Sequence, residues 1–176
     1  MMRALGKRLR GLRANDKWRA GNEKRFAYVP HTIVVRSSAF ADGEPMPATA
    51  ESPPLEWTNV PDGTAMLALV MEDADVPFPR PVPHAVVYGI DPSRRHLDAG
   101  EIDAAKLELG YNVVGRRAYG KPAPIPGHGP HRYVFTLFAV DYVPRFDQPP
   151  TRGRLLDAIA GHVLALGELT GTVERV

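Results

Sequence analysis

Two short stretches of this chain hold side chains that could do chemistry together. The first is Asp73-Ala74-Asp75 with His84 close behind it, and the second is His131-Arg132-Tyr133. Neighbouring carboxylates can act as a general acid and base or bind a hard cation, and they can also accept hydrogen bonds from backbone amides, Arg or His. A His beside a carboxylate is protonated more easily, so these groups could form a small cationic pocket with Tyr133 as a further donor. Such a pocket suits a small anion, phosphate especially, and the residues alone leave open whether the protein is a binder or an enzyme.

Each stretch stands where a proline-rich loop meets a predicted core strand. Gly129-Pro130 leads into His131 and then into an apolar run up to Val140, which is typical of a buried strand. The run 65–71 predicts a central strand that ends at the acidic cluster, and His84 opens a predicted strand at 85–90. Binding residues are often placed at such points, where a rigid scaffold meets a loop.

The rest of the chain contains further strand and helix signals. The run 26–36 predicts a first strand, residues 55–57 predict an extended segment, and residues 101–109 predict a short helix. Thr151 is a plausible N-cap for a C-terminal helix whose apolar periodicity continues to about Leu169. Gly171 is expected to stop that helix, and residues 172–174 could form a last short strand.

Composition excludes several classes of protein. The chain has 176 residues, 18 prolines, 16 glycines and no cysteine, so it contains no disulfide framework and no thiolate site. We expect short strands joined by turns in one domain. No apolar window of about 18 residues and no signal-peptide pattern is present, so the expected location is the cytoplasm.

The positive charge is concentrated at the N-terminus. Residues 1–25 contain nine Lys or Arg and two acids, a local charge of +7, and the remaining residues carry −5. Leu5, Leu9 and Leu12 have helical spacing, which is compatible with an amphipathic segment for an anionic lipid surface or nucleic acid. A solvated arm, or a short helix docked on its own domain or on a second subunit, is favoured over this because Gly6 and Gly11 weaken the helix. We therefore predict a basic arm at 1–25 and a single domain at 26–176, with no nucleic-acid-binding domain.

The other histidines fit ordinary structural roles. A lone His is more often exposed or satisfied by packing than functional, and we interpret His31, His96 and His128 in this way. His162 lies in the C-terminal helical pattern and is interpreted as a packing or capping residue.

Taken together, the two stretches resemble the signature regions of the phosphatidylethanolamine-binding proteins, also called Raf-kinase-inhibitor-like proteins. The resemblance extends to Ser38–Gly43, Ser52–Trp57 and the proline-rich run 119–130, covers residues 26–176, and is closest to the bacterial branch. It implies a mainly β fold with peripheral helices (α+β): a Greek-key sandwich of two antiparallel sheets with a C-terminal helix.

The resemblance also implies a function and a set of site residues. It implies non-enzymatic binding of phosphate, phosphoethanolamine-like headgroups or similar anions, with no catalytic residue, metal or cofactor. The histidines and the tyrosine would face the anion and an aspartate would orient them, while Arg132 and Lys121 would support the site. The matching ligand-binding positions are Asp73, Asp75, Pro77, His84, Gly120, Pro124, His131 and Tyr133.

Some residues depart from the family pattern, and other functions stay open. Ala74 and Val76 replace the usual residues of the acidic motif, Ala85 replaces an aromatic residue, and Lys121 replaces a glycine, so the natural ligand stays open. A protease or kinase inhibitor that acts through its surface is one alternative, and a metal-dependent or acid/base hydrolase is another. The sequence also leaves open a homodimer, a protein partner and membrane contact through the arm.

Overall fold

Two helices and eight strands form the regular structure of the chain, and the computed structural model describes all residues 1–176. In chain order they are α1 (Met2–Leu9), β1 (Val34–Arg36), β2 (Leu55–Thr58), β3 (Met66–Asp73), β4 (Val82–Ile90), β5 (His96–Leu97), β6 (Glu108–Leu109), β7 (His131–Val140), α2 (Arg152–Ile159) and β8 (Val163–Val173). The strands form a three-stranded sheet, β1-β2-β5, and a five-stranded sheet, β6-β4-β3-β7-β8. All strand pairs are antiparallel, as the family resemblance implied.

The five-stranded sheet is covered on both faces, which explains why β3 and β7 are apolar almost throughout. Successive side chains of a strand point to opposite faces, so Leu67 and Leu69 pack towards the smaller sheet. Met66, Ala68 and Val70 pack instead against α2 and the segment before β1. We call these the inner face and the outer face. The predicted central strand is confirmed and extends to Asp73.

The C-terminal helix is much shorter than predicted. Helix α2 begins after its cap Thr151, whose side chain accepts from Arg154 N, and it ends at Ile159. Gly161 has φ +81°, a left-handed conformation that reverses the chain, and β8 then pairs with β7 over its whole length. Leu166 packs on the outer face and Leu169 on the inner face, so their spacing serves a strand buried on both sides.

Two other predictions also fail in part. Residues 101–109 form turns that end in β6, because the Asp103 side chain accepts from Ala105 N and Leu109 pairs with Val87. The first strand is limited to Val34–Arg36. Phe26, the predicted start of that strand, is instead the last residue of a 3₁₀ helix, and its ring is buried against the outer face.

Three short 3₁₀ helices carry the chain from α1 across the outer face to β1; they are Asp16–Trp18, Ala20–Asn22 and Lys24–Phe26. Ala20 is completely buried there, so residues before 26 contribute to the core. The division into an arm and a domain at residue 25 stays a prediction. Neither helix has the length and apolar character needed to cross a bilayer.

Candidate functional site

The predicted site lies at one end of the five-stranded sheet, where β3 ends, β4 begins and β7 begins. Asp73 is opposite Tyr133 in the β3–β7 register, and His131 lies two residues before Tyr133 on the same strand face. His84 reaches this end because of a bulge: Met71 pairs with Ala85 and Glu72 with Pro83, which leaves His84 as the extra residue. Bulges commonly re-aim a side chain in this way.

Asp73 and His131 form a buried, hydrogen-bonded pair. The Nδ1 atom of His131 lies 2.8 Å from Oδ2 and 3.0 Å from Oδ1 of Asp73, and the carboxylate accepts from it. Asp73 Oδ1 also accepts from Asp75 N at 3.0 Å. The carboxylate therefore fixes the orientation of the His131 ring and leaves its Nε2 atom to a second partner.

That second partner is His128, for which the sequence predicted an ordinary structural role. His128 Nδ1 lies 2.7 Å from His131 Nε2, and the His128 side chain is almost fully buried. Its own Nε2 atom lies 2.9 Å from Leu9 O and 3.1 Å from Leu12 O. The site thus continues through His128 to the N-terminal segment. The signal in the sequence was its place three residues before His131, between Gly127 and Gly129.

His84 is held against the backbone of Gly120. Its Nδ1 atom donates to Gly120 O at 2.9 Å, and Gly120 N donates to His84 O at 2.6 Å. A Cβ atom at Gly120 would stand 3.0 Å from His84 O and 3.1 Å from its Nδ1, so this close approach favours glycine. Burial lowers the pKa of His84, against the raising effects of the Gly120 hydrogen bond and the nearby Asp73. The ring is therefore neutral near pH 7, and its Nε2 atom is an acceptor that no protein group uses.

Two buried tyrosine hydroxyls lie close together here, and neither makes a hydrogen bond of standard geometry within the protein. Tyr133 is completely buried and packs edge-on against His84 with ring centroids 5.1 Å apart. Its hydroxyl lies near Asp73 and Ala123 N but is not well aligned with either of them. The buried hydroxyl of Tyr119 is also without a partner. Burial raises the pKa of both phenols, and the charge of Asp73 raises that of Tyr133 further, so both keep their protons. Unpaired buried donors are rare because each costs about 1–3 kcal/mol.

Asp75, although two residues from Asp73, belongs to a different set of contacts. Its oxygens accept from Arg132 N, Nε and Nη2 at 2.8–2.9 Å, and Arg13 Nη1 lies 2.8 Å from Oδ1. Burial would raise the pKa of Asp75, but these hydrogen bonds outweigh it and lower the pKa to about 2. All of its acceptor capacity is used within the protein, which assigns it to support rather than to ligand contact.

Comparison with known proteins identifies the family. A family model described as phosphatidylethanolamine-binding protein matches residues 36–174. The chain belongs to this family. The UPF0098 protein of Chlamydia muridarum is 35% identical over 150 residues, which cover 79% of this chain and 97% of that protein.

Solved structures of phosphatidylethanolamine-binding protein relatives share the fold. The crystal structure of the homologue from Chlamydia trachomatis superposes with a TM-score of 0.75 at 32% identity, covering 82% of this chain and 98% of that chain. Escherichia coli YbcL gives a TM-score of 0.76 at 24% identity over 82% and 99% of the two chains, which shows the fold alone. The family interpretation and the two-sheet fold predicted from the sequence are confirmed.

The remaining site positions predicted from the sequence differ in their exposure to solvent. Pro124 is buried and Pro77 half-buried, whereas Lys121 is exposed and lines a separate hollow of about 390 Å³ with Ala123 and Arg175. Arg132 binds Asp75 and Asp16, in agreement with a scaffold role. No group of three or more His, Cys, Asp or Glu side chains is arranged to hold a metal ion.

Proposed function

We propose that this protein binds a small phosphate-bearing anion, such as a phosphoethanolamine-like headgroup, at the end of β3, β4 and β7 and does not transform it. The observation that carries this proposal is the buried Tyr133 hydroxyl, which makes no hydrogen bond of standard geometry within the protein. Phosphate oxygens are strong acceptors and supply what such a donor lacks. The name of the family points to the same ligand chemistry.

The other groups of the site add complementary polarity. The Tyr119 hydroxyl, which is close enough to Tyr133 to raise the pKa of its phenol, is a second donor without a hydrogen bond. The free Nε2 atom of neutral His84 is an acceptor, which the ammonium group of ethanolamine or a protonated phosphate oxygen can satisfy. Asp73 is already bound to His131, so its negative charge is balanced within the protein whenever that ring is protonated.

Titration calorimetry with soluble ligands tests this function. Phosphate, phosphoethanolamine and glycerophosphoethanolamine separate free phosphate, a monoester and a lipid-like diester, and O-sulfoethanolamine has a similar shape with no phosphate. We expect phosphoethanolamine to bind, and His84→Ala to weaken it at least about tenfold through loss of ring contacts. His96→Ala, which removes an exposed ring, should bind as the wild type does. Equal binding by all three proteins would contradict the site.

A further inference from the structure

The N-terminal segment lies directly over the loop that leads into His131. Gly6 of α1 is buried there, and a Cβ atom at this position would stand only 2.1 Å from Pro126 O. Arg10 Nε donates to Gly127 O at 2.9 Å. We call residues 2–13 the cover. Its close fit at Gly6 means that a single methyl group would push it off the loop.

With the cover in place, the anion site is closed. The exposed fractions of Asp73, His131 and Tyr133 are 3%, 1% and 0%. Both ring nitrogens of His131 are occupied, Nδ1 by Asp73 and Nε2 by His128. An incoming anion can accept a hydrogen bond from His131 only after His128 has moved.

The hydrogen bonds of the two rings also require an extra proton. The carboxylate of Asp73 and the carbonyls of Leu9 and Leu12 can only accept, so His131 Nδ1 and His128 Nε2 both carry protons. A third proton lies between His131 Nε2 and His128 Nδ1. Two neutral imidazoles hold two protons, so the docked arrangement carries one positive charge, which Asp73 balances.

Building on the anion binding proposed above, we propose that His128 is a positioning residue of that site. Held by the carbonyls of the cover, it occupies His131 Nε2 and keeps the site closed. When the cover leaves, His128 is released and His131 Nε2 becomes available to the phosphate oxygens.

Gly6→Ala in the full-length protein tests this role. The methyl group should displace the cover, so that trypsin cleaves residues 2–13 faster and phosphoethanolamine binds about fivefold tighter or more, since closing no longer competes with binding. The matched control is Gly153→Ala in α2, where an added Cβ meets only Thr151 Oγ1 at 3.9 Å. That control should behave as the wild type in both assays.

His128→Phe is a second variant, which keeps the ring and removes its nitrogens. It should also bind phosphoethanolamine more tightly than the wild type. If neither variant binds more tightly, the closing role of His128 is refuted, and weaker binding refutes it too. If neither the wild type nor Gly6→Ala binds at all, the proposed function itself fails, and the two failures are thereby distinguished.

The hydrogen bonds of His128 to the cover provide a second readout. His128→Phe removes the donor to Leu9 O and Leu12 O, so amide hydrogen exchange of residues 2–13, measured relative to α2, should be faster than in the wild type. Gly153→Ala should exchange as the wild type does. Equal exchange in the wild type and His128→Phe would refute the role of His128 in holding the cover.

The exposed surface of α1 carries a second and independent observation. The helix docks through Gly6 and half-buries Leu9, but Met2, Leu5 and, just beyond its end, Leu12 expose 63%, 53% and 54% of their surface. A surface helix normally turns its apolar stripe towards the core. This apolar face has no partner within the chain.

The charges around this face indicate what it would bind. Residues 3–13 contain five Lys or Arg and no acid, and Arg3, Lys7 and Arg8 form no ion pair in the protein. A second copy of the chain would bring the same positive charge, and a nucleic acid would leave the apolar face unused. An anionic bilayer satisfies both features, with acyl chains for the leucines and headgroups for the cations.

We infer that α1 attaches the protein to anionic lipid surfaces. Vesicles of phosphatidylcholine with phosphatidylglycerol should sediment the full-length protein in a salt-sensitive manner, and pure phosphatidylcholine vesicles should not. Leu5→Glu with Leu12→Glu should reduce the partition coefficient at least about tenfold. Val114→Glu with Val143→Glu adds the same charge at exposed apolar positions elsewhere and should retain binding.

Other outcomes would refute the lipid assignment. Unchanged sedimentation of the Leu5/Leu12 variant would do so. So would a wild-type dimer in solution that this variant abolishes, without any vesicle binding, because the face would then belong to a second copy. His84→Ala should sediment as the wild type does, which separates this surface from the anion site.

Discussion

Glu72 and Asp73 are neighbours on β3, yet they point to opposite faces of the five-stranded sheet and meet very different surroundings. On the outer face, Glu72 is completely buried and accepts from Ala20 N at 2.7 Å and from Arg152 Nε. On the inner face, Asp73 is bound to His131. One carboxylate is paired with a guanidinium group, and the other with an imidazole ring.

The partners of the two carboxylates extend this contrast. Around Glu72, Arg152 also donates to Glu23 Oε1 and Trp18 O, so its Nε, Nη1 and Nη2 atoms all have acceptors. This outer cluster ties α2 to the 3₁₀ segment. The inner cluster, formed by Asp73, His131, His84 and Tyr133, instead keeps the Tyr133 hydroxyl without a hydrogen bond of standard geometry. A polar group that is paired within the protein stabilises the fold, whereas one left unpaired at a cost to stability is available to a ligand.

The largest expected effect is the loss of the outer carboxylate. Glu72→Ala leaves Ala20 N and Arg152 Nε without their acceptor in a buried place, while Arg152 keeps Glu23 as its counter-ion. It should therefore lower the free energy of unfolding by about 3 kcal/mol. Urea denaturation measures this loss. Glu56→Ala, an exposed control on β2, should leave stability unchanged. If Asp73→Asn cost as much as Glu72→Ala, the two faces would not differ in the way described.

Asp75 provides a smaller effect with a defined pH window. Asp75→Asn removes charged hydrogen bonds from Arg132 and Arg13 and should lower the free energy of unfolding by about 2 kcal/mol near pH 7. The pKa of Asp75 is about 2 in the folded protein and ordinary when unfolded, so its stabilisation is present above about pH 4 and disappears as the pH falls towards 2. Denaturation curves of the two proteins should therefore converge at low pH. A gap that stays constant down to about pH 2 would show that Asp75 does not act through its charge.

A substitution at Gly120 disturbs the contacts of His84 with a still smaller expected loss of stability. Gly120→Ala places a Cβ atom against His84 O and Nδ1, so His84 must shift by a few tenths of an ångström. We expect a loss of about 1 kcal/mol in stability and a several-fold loss in phosphoethanolamine affinity. Gly153→Ala on α2 is the matched control for both measurements. Unchanged affinity in Gly120→Ala would separate His84 from the ligand.

The sequence predicted what depends on local pattern. The apolar runs of β3 and β7 predicted buried strands, and the polar residues at their ends predicted the meeting of Asp73, His131 and Tyr133. The helix predicted up to Leu169 was wrong, because apolar residues in a strand buried on both faces have spacings that also fit a helix. Only the pairing with β7 shows that residues 163–173 form a strand and not a helix.

The parts of the site that could not be predicted depend on long-range contacts. His128 gains its role from Leu9 and Leu12, which are more than 100 residues away in the chain. Tyr119 matters because its hydroxyl is buried without a partner, which no local pattern reveals. The bulge that brings His84 to the site also depends on the register between two strands.

Tyr133→Phe tests the central claim most directly, because it separates stability from binding. Calorimetry with phosphoethanolamine and urea denaturation should be measured on the same protein. Removing an unpaired buried hydroxyl should leave stability unchanged or raise it by about 1 kcal/mol, and it should weaken phosphoethanolamine binding at least about tenfold. An affinity equal to that of the wild type, or a large loss of stability, would show that the hydroxyl is not kept for a ligand.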